Sequence, residues 1–155
     1  MDINLAVFED LKEILALQHY IFEIEARHVA NFELPALAQD MDGIIEEFAN
    51  GMMLKAVENG KIIGSVRGMA KNGTLHIAKL MVHPDYRKKG IAGCLMNSLE
   101  EYSSQPRFEL FTPNISQHNI KLYESLGYKI FDEMAHHSGV TFVLMEKFNL
   151  RNSRS

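Results

Sequence analysis

The residues best equipped for chemistry in this 155-residue chain lie between Leu75 and Ser98, LHIAKLMVHPDYRKKGIAGCLMNS. An apolar run ends at Leu80-Met81-Val82. Pro84 follows, then Arg87, Lys88 and Lys89, and then Gly90, Ala92 and Gly93. The first N–H groups of a helix have no intrahelical partner, and the helix dipole favours negative charge beside them. Small residues let an anion approach those groups, and three basic side chains add attraction. This chemistry suits a phosphate, although a plain strand-to-helix turn with a solvated basic loop has the same composition. The stretch matches neither G-x-x-x-x-G-K-[ST] nor G-x-G-x-x-G.

The surrounding elements follow from periodicity. Leu75–Val82 reads as a buried strand, stopped by Pro84, which cannot donate a ladder hydrogen bond. The helix after Gly90 would turn Ile91, Cys94, Leu95 and Leu99 inward. Before it, Asp2–Val7 reads as a short edge strand, and apolar spacing predicts a helix from Glu9 to about His28. Pro35 breaks the pattern within Asn31–Gln39. A second helix starts near Asp40, with Met41, Ile44, Ile45 and Phe48 inward, and stops near Asn50-Gly51. Met52–Glu58, Lys61–Met69 and Leu75–Val82 form an antiparallel meander through Asn59-Gly60 and Asn72-Gly73, since Asn-Gly accepts the left-handed conformation at both turn positions. Arg107–Thr112 then completes a parallel strand–helix–strand unit. Ser116–Gly127 is a helix with Ser at its start and Gly as its stop, and Tyr128–Phe131 with Thr141–Lys147 makes a closing hairpin around Ser138-Gly139.

Composition narrows the class. A chain of this length with 46% apolar and 23% charged residues is one ordinary domain, residues 1–150, with 151–155 as a frayed tail. A net charge of −4 argues against a nucleic-acid partner. Cys94, the single cysteine, excludes an internal disulfide and reads as a small core residue. No apolar run could span a membrane and no basic-then-apolar leader opens the chain, so a reduced cytoplasmic protein is expected.

V-x-P-x-x-R-x-x-G-x-A, present as Val82, Pro84, Arg87, Gly90 and Ala92, resembles the acyl-CoA-binding motif of the GNAT superfamily of N-acetyltransferases. N-I-x-L-Y-x-x-x-G-Y, present as Asn119, Ile120, Leu122, Tyr123, Gly127 and Tyr128, resembles its second signature. The commonest form of that signature has Asn three residues earlier, where this chain has Ser116, so the side chain that would meet the CoA arm is that of Asn119, Asn114 or Ser116. The resemblance implies an α+β fold with a mixed, twisted sheet of about six to seven strands flanked by about four helices. It also implies acetyl-CoA as co-substrate, an amine as acceptor, and no metal. By position, Leu80, Met81 and Val82 would meet the pantetheine and acetyl groups, and Arg87, Lys88, Lys89, Gly90, Ile91, Ala92 and Gly93 would cradle the pyrophosphate. Tyr123 would stand beside the CoA sulfur as general acid, a role open to a well-placed phenol.

The general base stays open among His76, Lys79, Glu109 and Glu33, or a water chain. Met81 or Val82 would supply the backbone N–H that polarises the thioester carbonyl. The acceptor helices carry His19, Tyr20, Glu23, Glu25, His28 and Glu33, whose charges are equally consistent with a solvated face. Adjacent His136 and His137 point to opposite faces of a strand and do not make a metal site. A non-catalytic acyl-CoA sensor is the alternative to an enzyme, and an exposed strand edge leaves room for a homodimer.

Overall fold

The computed structural model describes residues 1–26, 38–136 and 139–150. His28, Glu33, Pro35, His137, Ser138 and the 151–155 tail, named above, lie outside the described residues. The elements are β1 (Asp2–Leu5), a 3-10 turn (Phe8–Asp10), α1 (Leu11–Ala26), α2 (Met41–Asn50), β2 (Met52–Glu58), β3 (Lys61–Lys71) and β4 (Thr74–Val82). A second 3-10 turn (Pro84–Tyr86), α3 (Ile91–Tyr102), β5 (Arg107–Pro113), α4 (Gln117–Ser125), β6 (Lys129–Ala135) and β7 (Thr141–Phe148) complete the described part. No described helix is long and apolar enough to cross a membrane.

Local chemistry accounts for most of these boundaries. Asn59 and Gly60 have φ of 51° and 74°, and Asn72 and Gly73 have 50° and 80°, so both turns adopt the left-handed pair expected of Asn-Gly. Asp40 caps α2 by accepting from Gly43 N at 2.9 Å. The seven strands form one sheet in the order β1-β2-β3-β4-β5-β7-β6. Every pairing is antiparallel except β4 with β5. The closing hairpin is present, but its second strand, β7, lies against β5 and leaves β6 at the edge.

Each face of the sheet has its own core. On one, Ile91, Leu95, Met96 and Leu99 of α3 and Ile120 of α4 pack on Leu54, Ile63, Val66, Leu75, Ile77 and Phe108. On the other, Leu11, Ile14, Leu17 and Ile21 of α1 and Ile44 of α2 pack on Met53, Ile62 and Met81. Two inward assignments are corrected. Cys94 is exposed, because the buried stripe of α3 runs 91, 95, 96, 99 and 100 and leaves position 94 on the solvent side. Met41 is also exposed, at the first turn of α2, where only Ile44 is fully buried.

The face under α1 and α2 is joined by charge as well as by apolar contact. Arg67 of β3 is 4% exposed. It donates through Nη1 to Gln39 Oε1 at 2.8 Å and Glu47 Oε2 at 2.7 Å, and through Nη2 to Gln18 Oε1. Lys79 of β4 donates to Glu47 Oε1. Burial alone would raise the Glu47 carboxyl, but Lys79 and Arg67 outweigh it and hold its pKa below the ordinary value. Glu47 thus stabilises the fold fully above the ordinary glutamate pKa, and that contribution is lost as pH falls through its lower folded value. Glu47→Gln should cost about 2–4 kcal/mol at pH 7 by urea unfolding, because it strands two part-buried cations. The gap from wild type should narrow below about pH 4; a gap constant with pH would show that the carboxylate charge is not what matters.

Candidate functional site

The parallel pairing of β4 and β5 lasts for three rungs, Thr74↔Arg107, Leu75↔Phe108 and His76↔Glu109. Beyond His76 and Glu109 the two strands have no paired residues, although β4 continues to Val82 and β5 to Pro113. One cause is visible in β4. Its register against β3 steps from Arg67↔Ala78 to Ser65↔Met81, and Lys79 has φ of 54°. An extra residue is therefore bulged out at Lys79, which bends the strand. Strict alternation, which groups Leu80 with His76 and Ala78, fails here for that reason. Leu80 and Val82 instead join the α3 side with Leu75 and Ile77, while Met81 enters the core under α1.

The bulge also decides which main-chain groups face the gap. His83 N donates to Ile63 O at 2.7 Å across the β3 ladder. Antiparallel alternation then turns the N–H of Val82, and of Leu80 two residues before it, toward the side that β5 has left. The N–H of Met81 is turned toward β3. Of the two groups considered for polarising a carbonyl, Val82 is available and Met81 is not.

At the open end of β4 the chain enters the basic loop. Lys88 and Gly90 have φ of 63° and 78°, and Gly90 is the N-cap of α3 with no side-chain capping bond. A left-handed N-cap of this kind favours glycine. Cys94 N donates to Gly90 O at 3.1 Å, which begins the helical ladder and leaves the N–H groups of Ile91, Ala92 and Gly93 ahead of it. Ile91 is buried and anchors the turn, and Arg87, Lys88, Lys89 and Gly90 are exposed. Aromatic packing ties α1 to this loop. Tyr20 stacks on His83 at 5.4 Å, His83 meets Tyr86 edge-on at 5.8 Å, and Lys89 Nζ lies 5.3 Å from the Tyr86 ring centre. Sequence reasoning missed this cluster, because its members come from an α1 face and a loop with no shared periodicity.

α4 carries the second motif, on the α3 side of the sheet. Ser116 is its N-cap but makes no side-chain capping bond, contrary to the capping role expected of it. Tyr123 packs against the core on the α3 side of the sheet, and its ring meets that of Tyr128 at 6.2 Å. Tyr128 is fixed in turn, its hydroxyl donating to Glu100 Oε2 at 2.8 Å while Lys147 Nζ donates to Glu100 Oε1 at 2.7 Å. Among the described residues, neither the Tyr123 hydroxyl nor the half-buried Asn119 amide has a hydrogen-bond partner. Burial, and then the negative charge of Glu25, raises the pKa of Tyr123. Glu25 belongs to α1, on the opposite face of the sheet. The Glu25 carboxyl is itself raised by burial and partly offset by Arg87. Nothing in the local sequence distinguishes Glu25 from the other charged residues of α1.

The candidate bases are separated by the fold. His76 and Glu109 face each other on the last rung, with Nδ1 3.5 Å from Oε2, and Glu109 also accepts from Arg107 at 2.8 Å. Lys79 is engaged as a donor to Glu47, which does not suit a base. Among the described residues no group of three or more His, Cys, Asp or Glu side chains could hold a metal ion. The unpaired N–H groups of β4 and of the α3 start, the basic loop and the free Asn119 amide fit an extended, anionic, amide-bearing molecule such as CoA.

Comparison with known proteins agrees with this geometry. Residues 23–148 match the family described as Acetyltransferase (GNAT) domain. The chain is 34% identical over 108 residues to the N-acetylaspartate synthetase of Xenopus tropicalis, covering 64% of this chain and 40% of that protein. It is 36% identical over 76 residues to the N-terminal acetyltransferase B complex catalytic subunit of Arabidopsis thaliana, covering 46% of this chain and 44% of that protein. The chain thus spans less than half the length of these two relatives. An N-acetyltransferase from Thermoplasma acidophilum, solved in complex with coenzyme A, superposes with a TM-score of 0.78 at 14% identity, covering 96% of this chain and 99% of that one. With the splayed β4–β5 pair, the glycine-capped α3 and the matched family over 126 of its residues (23–148), the chain belongs to the GNAT acetyltransferase family.

Proposed function

We propose that the chain transfers an acetyl group directly from acetyl-CoA to a primary amine of a small molecule or peptide, with residues 1–150 acting as one domain. The observation that carries this reading is the gap beyond His76 and Glu109, toward which strand alternation turns the Val82 N–H. The names of the two relatives, an N-acetylaspartate synthetase and an N-terminal acetyltransferase subunit, support nitrogen as the acceptor atom.

Each part of the site then has a task. Arg87, Lys88 and Lys89 and the N–H groups of Gly90, Ile91, Ala92 and Gly93 hold the pyrophosphate. Leu80, Met81 and Val82 take the pantetheine arm as an added strand, and Asn119 offers it an amide. The thioester supplies an activated carbonyl. The Val82 N–H polarises that carbonyl and stabilises the charge that builds on its oxygen. As the C–N bond forms and the C–S bond breaks, Tyr123 gives its proton to the departing thiolate. The amine loses one proton to solvent. Burial and the charge of Glu25 raise the phenol's pKa, which keeps its proton in place until the thiolate departs.

Two measurements test this assignment. Tyr123→Phe should lower kcat for thiol release from acetyl-CoA by about a hundredfold or more, with CoA affinity by calorimetry nearly unchanged. Wild-type kcat/KM should rise with pH as the amine deprotonates and show no fall near pH 10, the ordinary phenol value. Undiminished turnover in Tyr123→Phe would remove the phenol from the mechanism. Independently, Gly90→Glu should weaken CoA binding by about tenfold or more, since it sets a carboxylate where the pyrophosphate would sit and a side chain where φ is 78°. Retained affinity would sink the cradle, and tight binding without turnover on any amine would leave a docking module.

A further inference from the structure

One charged cluster close to the gap has no task in this mechanism. Arg67, Lys79 and Glu47 lie together on the α1–α2 face, with Gln18 and Gln39 around the Arg67 fork. We propose that this cluster is a subsite for a carboxylate on the acceptor. The acceptor is then an amine of the amino-acid type, with a free carboxylate a few bonds from its nitrogen. The inference deepens the acetyl-transfer reading and rests on it.

Charge supplies the first argument. The cluster holds two cations, and among the described residues Glu47 is the only carboxylate hydrogen-bonded to either. Burial lowers the pKa of both Arg67 and Lys79, and Glu47 offsets this only in part. A second carboxylate would balance a positive charge held largely out of water. Donor capacity supplies the second. Arg67 Nε is buried and has no hydrogen-bond partner among the described residues. Glu47, Gln18 and Gln39 accept only some of the N–H donors that an arginine and a lysine carry. A buried donor without an acceptor is uncommon and costs stability, as expected where a ligand completes the set.

Position supplies the third. Lys79 is the bulged residue between the last β4–β5 rung and Val82. Three strand residues span about 10 Å, which a lysine side chain and a short acceptor bridge together. The direction of attack agrees. Tyr123 serves the leaving thiolate from the α4 side, so the amine reaches the carbonyl from the α1–α2 side, where Lys79 meets Glu47. The transfer keeps its balance: one C–N bond forms, one C–S bond breaks, the amine gives up one proton and the thiolate takes one.

The test uses the full chain, acetyl-CoA and matched acceptors that differ only in the carboxylate, glycine against glycinamide and aspartate against its diamide. Thiol release is read together with the mass of the acetylated product. The carboxylate member of a pair should have a kcat/KM higher by about tenfold or more, mostly through KM. Lys79→Met should cut that carboxylate-to-amide ratio about tenfold, and Lys79→Arg should restore most of it. Equal use of both members by the wild type overturns the subsite and leaves acetyl transfer standing. A Lys79→Met variant that slows both members alike shows Lys79 to be structural and also overturns it. Silence with every amine, while acetyl-CoA binding is confirmed by calorimetry, overturns the transfer reading and the subsite together. The wild-type ratio needs no variant, so poor folding of Lys79→Met does not shield the proposal.

Discussion

The site depends on a ladder that stops. β4 and β5 pair for three rungs and then part, so the backbone groups of Leu80 and Val82 are left without strand partners in an otherwise continuous sheet. Unpaired backbone donors are costly when buried, and proteins rarely keep them without a use. Here the neighbouring elements maintain the opening. β3 holds one edge of β4 through Ser65↔Met81 and Gly64↔Val82, β7 holds the far edge of β5 along its whole length, and the bulge at Lys79 bends β4 between them.

The two layers of helices act differently on this opening. α3 and α4 are packed by apolar contact, with Leu95, Met96 and Leu99 fully buried and Ile120 and Tyr123 packed on the same core. α1 and α2 share an apolar core as well, but at the level of the bulge they are joined to the sheet by Glu47, Arg67 and Lys79. Hydrophobic contact is insensitive to direction, whereas a lysine amine bridging to one carboxylate sets where a side chain lies. The α1–α2 side is thus charged and directional at this level, and the α3–α4 side is apolar.

Much of the fold was legible because its signals are local. Asn59-Gly60 and Asn72-Gly73 impose their own turn geometry, and Asp40 caps its helix within three residues. The glycine at position 90 announces a left-handed cap. The two GNAT-like motifs also stood in order in the chain, so the family could be read before any contact was known. Errors arose where a local rule meets a tertiary one. Cys94 has helical spacing that could turn inward, but the sheet takes the face centred on 95, 96 and 99. The bulge at Lys79 likewise has no signature in the run of side chains around it.

By itself, then, the sequence determined the strand–helix order, the meander turns, the anion-suited start of α3 and the phenol of the second motif, all of which depend on neighbours within a few residues. Tertiary structure decided that β7 intervenes between β5 and β6, that Val82 and not Met81 offers its N–H to the gap, and that Glu25 influences Tyr123 from the opposite layer. It also decided that Gln18, Gln39, Glu47, Arg67 and Lys79, spread over some sixty positions of chain, form one cluster. The physical reason is that charges and unpaired backbone groups act through space, and the distances between them are set only when both faces of the sheet are packed.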